Sequence, residues 1–299
     1  MNADKAIVDK DDFEPQGHFI AYFDILGYEH KIKEVGGASK LAEIINKNIL
    51  LAQDIASIFN GSEHIRAKEI NFKLKAFSDN FILCSENDFL SVLFISTVLQ
   101  GRLITDNIFV KGALCYGDLY FGKEFVCGEG LIHAYKIESE IAIFPRIIVD
   151  DSFSIAAVDE VKKSTSDRSD LRLQYAKNSD MERLDLSFQE IGLEAFSTDF
   201  DGYTFIDYLK TWHSFYYMPP TGKTLHPYQE AVARLANEQP LDEGLLELFS
   251  VLCQHQRYVE KNLVDYRDQR RVLQKYQWCK KYHNNFCRQY NYPDVATIK

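Results

Sequence analysis

Two aspartates carry the residue types that could do chemistry in this chain. Asp24 closes the apolar run Phe19 to Phe23 and is followed by Ile25, Leu26, Gly27 and Tyr28. The glycine marks a place where the backbone must turn tightly or lie close to a ligand. Asp79 ends Lys75-Ala76-Phe77-Ser78-Asp79, at the short polar joint between two further strand-like runs. A single Asp at a strand end is commonly only a turn former. Two carboxylates at neighbouring strand ends are different: Mg²⁺ is held by one or two acids together with the phosphates of a substrate.

The elements that must position these acids follow from the hydrophobic pattern. Phe19–Asp24 is predicted as a strand. After Gly36-Gly37, the residues Leu41, Ile44, Ile45, Ile49, Ala52, Ile55 and Phe59 recur at helical spacing. Asn71–Phe77 alternates, and Ser78-Asp79-Asn80 leads into Phe81-Ile82-Leu83-Cys84, which predicts a hairpin. Asn87 can cap a helix through Leu99. A strand Ile108–Tyr116 follows, then Gly117-Asp118 and a short Leu119–Phe121. A helix over Glu129–Glu140 and a strand Phe144–Val149 close the region. The order β-α-β-β-α-β, with an extra helix and strand, is the split βαβ or ferredoxin-like plan of an α+β domain. Residues 1–155 are read as a catalytic or binding domain and 156–299 as a mostly helical extension.

Composition narrows the function classes. The chain has 299 residues, 46% hydrophobic and 13% aromatic, which is ample for a core. Its formal charge of −10 and pI of about 5.3 argue against a general nucleic-acid or anionic-membrane binder. The first 17 residues are polar and acidic, and no long apolar run follows. Six cysteines without CxxC pairs fit reduced thiols. The expectation is a cytoplasmic protein with no membrane partner. Pro220-Thr221-Gly222-Lys223-Thr224 has the tail of a phosphate-binding loop, but Tyr217 stands where the motif needs its first glycine, so it is read as a plain loop. Cys279, His283 and Cys287 share a helical face at four-residue steps and are read as core, not as a zinc site.

Four segments in order resemble the class III nucleotidyl cyclase catalytic domain. Phe23-Asp24-Ile25-Leu26-Gly27-Tyr28 is similar to its first metal motif, and Lys75-Ala76-Phe77-Ser78-Asp79 to its second, with Ser78 replacing the usual glycine. Val110-Lys111-Gly112-Ala113-Leu114-Cys115-Tyr116-Gly117 resembles the strand that follows. Gly128 to Glu138, reading GEGLIHAYKIE, resembles the helix at the dimer face, with glycine, alanine and closing glutamate in register. The resemblance covers roughly residues 19–150, and the overall pattern is most similar to the stand-alone cyclases of bacterial Pycsar anti-phage systems.

The resemblance implies a homodimer with two shared sites. Asp24 and Asp79, with the Ile25 carbonyl, would bind two Mg²⁺ or Mn²⁺ ions in one protomer. The backbone N–H groups of Leu26, Gly27 and Tyr28 would cradle phosphates as helix starts do. Lys136 occupies the position of the family's transition-state arginine and Ile132 that of its ribose-orienting asparagine. The exchange at 136 keeps the charge and loses the planar fork. Lys75 and Phe125 stand at the two base-selecting positions, and a phenylalanine cannot make the hydrogen bond that would read a purine. His133 is assigned to the dimer face rather than to base catalysis, and Tyr28 serves packing or substrate contact. The expected activity is conversion of a pyrimidine nucleoside triphosphate, UTP ahead of CTP, into its 3′,5′-cyclic monophosphate, read by a separate effector in defence against phage. An ATP or GTP cyclase and a catalytically silent nucleotide-binding module are the competing readings.

Overall fold

The computed structural model describes residues 16–60, 72–166, 195–217 and 226–299. The glycine-lysine loop Pro220–Thr224 lies outside the described residues.

The strand that carries Asp24, β1 (Gln16–Ile25), is buried from His18 through Phe23. A strand covered on both faces has no solvent side, which is why its apolar run is nearly continuous. After it come α1 (Tyr28–Val35), α2 (Ala38–Asn60), β2 (Lys73–Phe77) and β3 (Asn80–Ser85). Then follow α3 (Phe89–Ile104), β4 (Val110–Phe121), β5 (Val126–Cys127) and α4 (Glu129–Lys136). A π turn (Ile137–Ile141), β6 (Ile147–Val149) and α5 (Asp151–Ser166) complete this half. The remainder supplies β7 (Phe196–Thr198), β8 (Thr204–Ile206), α6 (Tyr208–Tyr217), α7 (Pro227–Ala236), α8 (Glu243–Asp265) and α9 (Arg270–Gln289).

The strands form one sheet in the order β2-β3-β1-β4-β6-β8-β7, with β5 attached to β4. The pairs β2–β3, β3–β1 and β1–β4 are antiparallel, and β4–β6 is parallel. The fold is mixed α/β, with β1 near the middle of the sheet.

Several local expectations are corrected. The cap of α3 is Asp88, which accepts the Ser91 N–H at 2.9 Å, rather than Asn87, and the helix runs on to Ile104. β4 does not break at Gly117-Asp118: these residues pair with His18 and Gly17, so the ladder with β1 continues. Gly117 has another duty there. A Cβ on it would lie 2.8 Å from the Gly130 Cα, so the two glycines let α4 rest directly on β4. The predicted helix over 129–140 passes into the π turn after Lys136, and the predicted strand over 144–149 shortens to β6.

A division at residue 155 falls inside α5, whose Phe153 and Ala157 are both fully buried in the shared core. β7 and β8 extend the sheet, and Arg146, with 0% exposure, pairs with both Asp199 and Asp201. On α9, Cys279, His283 and Cys287 are buried as a core face, with His283 Nδ1 3.0 Å from His255 Nδ1. Among the described residues no helix is long and apolar enough to cross a membrane.

Candidate active site

β1 ends beside the tip of the β2–β3 hairpin. Asp24 is paired with Asn80, and the Ile25 N–H donates to the Asp79 carbonyl at 2.8 Å. The turn that makes this possible is strained: Ser78 has φ 56°, in the left-handed region that favours glycine. Its reward is placement, since Asp79 is set beside the end of β1, where its carboxylate acts on Asp24. A short relay sets the second carboxylate: the Tyr22 hydroxyl donates to Asn80 Oδ1 at 2.5 Å, and the Asn80 amide donates to Asp79 Oδ1 at 2.9 Å.

Across the sheet, the antiparallel register places Lys111 directly opposite Asp24. Its ammonium is already committed, since it pairs with the Glu138 carboxylate and donates to the Glu138 carbonyl at 2.9 Å. Glu138 is buried, at 5% exposure, in the π turn. Half-buried Asp24 therefore faces two further acids and the largely answered cation Lys111, with Lys275 of α9 also acting on this cluster. Burial pushes its carboxyl up to about 7, Glu138 and Asp79 push the same way, and Lys111 opposes them. Burial likewise raises the Tyr22 hydroxyl, with Glu138, Asp24 and Asp79 adding to it.

Gly27 then takes φ 68° and caps α1 with no side-chain hydrogen bond. Nothing lies within 4 Å of where its Cβ would be, so space is open over the first turn of α1. The expected amide cradle is narrower than the sequence suggests. The Leu26 N–H donates to the Phe109 carbonyl at 2.8 Å, which ties it into the sheet and leaves Gly27 and Tyr28 as the candidates. The half-buried Tyr28 ring packs against the core.

The other expected residues gather elsewhere. Lys75 donates to the carbonyls of Gly122 and Lys123, at 2.5 and 2.7 Å, and lies 5.3 Å from the centre of the Phe121 ring. The Gly122 N–H in turn donates to the Phe125 carbonyl at 3.1 Å, so Lys75 and Phe125 share one turn between β4 and β5. The Phe125 ring is 46% exposed and lies against Tyr120. Lys136 is exposed on α4, beside the exposed Ile132 and Tyr135. His133 lies 3.0 Å from Asp150.

Asp24 and Asp79 are hard oxygen donors, the type that suits Mg²⁺ and Mn²⁺. No group of three or more His, Cys, Asp or Glu that could hold a metal occurs among the described residues. A cation here would draw its remaining ligands from water and from substrate phosphates. The apposition of the two acids fits such an ion, because the crowding of Asp24 by Glu138 and Asp79 is what an added positive charge would relieve.

Sequence reasoning missed Lys111 and Glu138 as parts of this site, although both lie in quoted motifs. Lys111 was accessible from strand register, because the residue paired with Asp24 must share its face. It also missed Lys275 of α9, which feels the charges of Lys111, Asp24 and Glu138.

No family model matches the chain, and no curated protein matches it. Among solved structures, a bacterial light-regulated adenylyl cyclase aligns with 47% of this chain and 45% of its own, at 12% identity and a TM-score of 0.33. The chain thus spans less than half the length of that solved chain. So slight a likeness fixes neither fold nor chemistry, and the case rests on this chain's own residues.

Proposed function

We propose that the protein is a divalent-cation-dependent nucleotide cyclase that converts a pyrimidine nucleoside triphosphate, UTP ahead of CTP, into its 3′,5′-cyclic monophosphate and pyrophosphate. The observation that carries this reading is the apposition of Asp24 and Asp79, two acids brought together at strand ends by the bond from the Ile25 N–H to the Asp79 carbonyl. The sheet order β2-β3-β1-β4, antiparallel throughout, is the order of the split βαβ plan and supports a ferredoxin-like, class III cyclase reading.

In the reaction, a bond forms between the ribose 3′ oxygen and the α-phosphorus, and the α–β phosphoanhydride bond breaks. The 3′ proton passes to solvent and pyrophosphate leaves. Mg²⁺ or Mn²⁺ held by Asp24 and Asp79 would acidify the 3′-hydroxyl and neutralise the phosphates. The chain's own part is orientation. The Tyr22–Asn80 relay fixes the Asp79 carboxylate, and the Gly27 and Tyr28 amides at the start of α1 would receive phosphate oxygens. Phe125 offers an apolar contact in place of a purine-reading hydrogen bond.

Completion of the site by a second copy is part of the proposal. Lys136 lies exposed on α4 with no ion pair among the described residues, and Ile132 and Tyr135 on the same helix are 57% and 53% exposed. A head-to-tail homodimer would cover these side chains and bring Lys136 of one chain to the acids of the other. The cyclic product would be read by a separate effector in anti-phage defence.

The test is to incubate the purified chain with Mn²⁺ and each of the four ribonucleoside triphosphates and resolve the products by mass. A cyclic pyrimidine monophosphate that disappears in Asp24→Ala is the expected result. A cyclic purine product would move the specificity to ATP or GTP. Nucleotide binding without any product would favour a silent sensor module.

A further inference from the structure

Lys275 belongs to α9, in the half of the chain that carries no recognisable motif. Two aromatic contacts dock this stretch of α9 on the segments that flank the acids. Its neighbour Tyr276 meets the Phe109 ring edge-on at 5.3 Å, and Phe109 is the residue whose carbonyl accepts the Leu26 N–H just beyond Asp24. Three residues along, Trp278 stacks on Phe144 at 5.8 Å and 12°, just past the π turn that holds Glu138. Lys275 and Trp278, at i and i+3, share a helix face, so the lysine is carried on the side of α9 that packs just past the π turn.

Lys275 is half-buried there, and its ammonium has no hydrogen bond or ion pair among the described residues. Lys111 already takes the Glu138 carboxylate, and no hydrogen bond enters the balance of charge at Lys275. Burial lowers its affinity for a proton, as does Lys111, while Asp24 and Glu138 oppose this from a distance. A half-buried cation without a close partner is costly. Anionic oxygens arriving between Gly27 and the acid pair would supply that partner.

We propose that Lys275 binds the phosphate chain of the nucleotide in the same protomer, so that the C-terminal helical region is a working part of the active site. The proposal rests on the cyclase reading given above. It assigns α9 a substrate contact, which neither a gate nor a mere brace would provide.

The test uses the 3′-deoxy forms of the four nucleoside triphosphates, which lack the attacking hydroxyl, and measures dissociation constants by calorimetry with Mn²⁺ present. The best-binding base is then compared as triphosphate and as monophosphate. Lys275→Gln should weaken the triphosphate about tenfold, the worth of one hydrogen bond to a charged group, and leave the monophosphate within about twofold. Lys275→Arg should retain most of the affinity. Lys275→Met keeps the packed stem and should match Lys275→Gln, which separates loss of charge from loss of folding. Unchanged triphosphate binding, or equal weakening of both ligands, would overturn the role of Lys275 while wild-type turnover left the cyclase reading intact. Failure of the wild-type chain to bind any of the four would remove both.

Discussion

The two regions of the sheet that hold expected site residues are in opposite electrostatic condition. Around Asp24 and Asp79, like charges are pressed together in a half-buried place, and burial, with Glu138 and Asp79 adding to it, carries Asp24 to about 7. Around Lys75, the charge is answered: two backbone carbonyls accept from the ammonium and the Phe121 ring lies beneath it. The first region needs something from outside to become comfortable. The second is comfortable as it stands, and a base reaching Lys75 must compete with two short hydrogen bonds. Residue type alone would have ranked the two equally; their surroundings separate an unsatisfied site from a satisfied one.

The comparison can be broken most sharply by turnover. Asp24→Asn and Asp79→Asn should each lower cyclic-product formation by roughly 10³, a size typical of losing preorganised charge stabilisation, whereas Lys75→Gln should cost about tenfold or less. Equal losses at both ends would erase the distinction.

Stability should move in the reverse sense. Without metal at pH 8, Asp24→Asn relieves repulsion and should raise the unfolding temperature by roughly 2–4 °C, the shift about 1 kcal/mol gives in a chain of this class. Lys75→Gln should lower it by a similar amount, because the turn at Gly122 and Lys123 loses its staple. Differential scanning calorimetry distinguishes these signs directly.

Acidity offers a finer test. Asp24 has a folded-state pKa raised above its unfolded value, so the folded chain holds the extra proton. Its contribution to stability is fully present below about 4 and is lost as pH rises through about 7. Metal-free wild type should therefore lose stability across that window relative to Asp24→Asn, as followed by urea titration at several pH values. The smallest effect concerns base choice: if Lys75 only staples the turn, Lys75→Gln should change KM for pyrimidine and purine triphosphates by the same factor.

How much of this was legible in the sequence varies with the range of the signal. The hairpin at Ser78-Asp79 and the strand ending at Asp24 were readable because an apolar run and a polar joint are local. Their apposition followed from the resemblance and is realised here by the Ile25–Asp79 backbone bond. The continuity of β4 through Gly117 was not readable, since a Gly-Asp pair marks a turn unless a neighbouring strand holds it. Lys75 was read correctly as lying on a strand, but the direction of loop carbonyls, which captures its ammonium, is not written in local pattern. Lys275 was out of reach altogether: an isolated lysine on an amphipathic helix looks solvated until tertiary packing brings that helix to the acids.

The most direct measurement is a calorimetric titration of the wild-type chain with Mn²⁺ at pH 7 in two buffers of different ionisation enthalpy, repeated with Asp24→Asn. An Asp24 carboxyl near 7 is about half protonated at that pH, and a cation bound to it must displace the proton. Saturable binding with release of about half a proton, both lost in the variant, is the expected result. Binding that persists unchanged in Asp24→Asn, or that releases no proton, would contradict the assignment of the acid pair as the cation site.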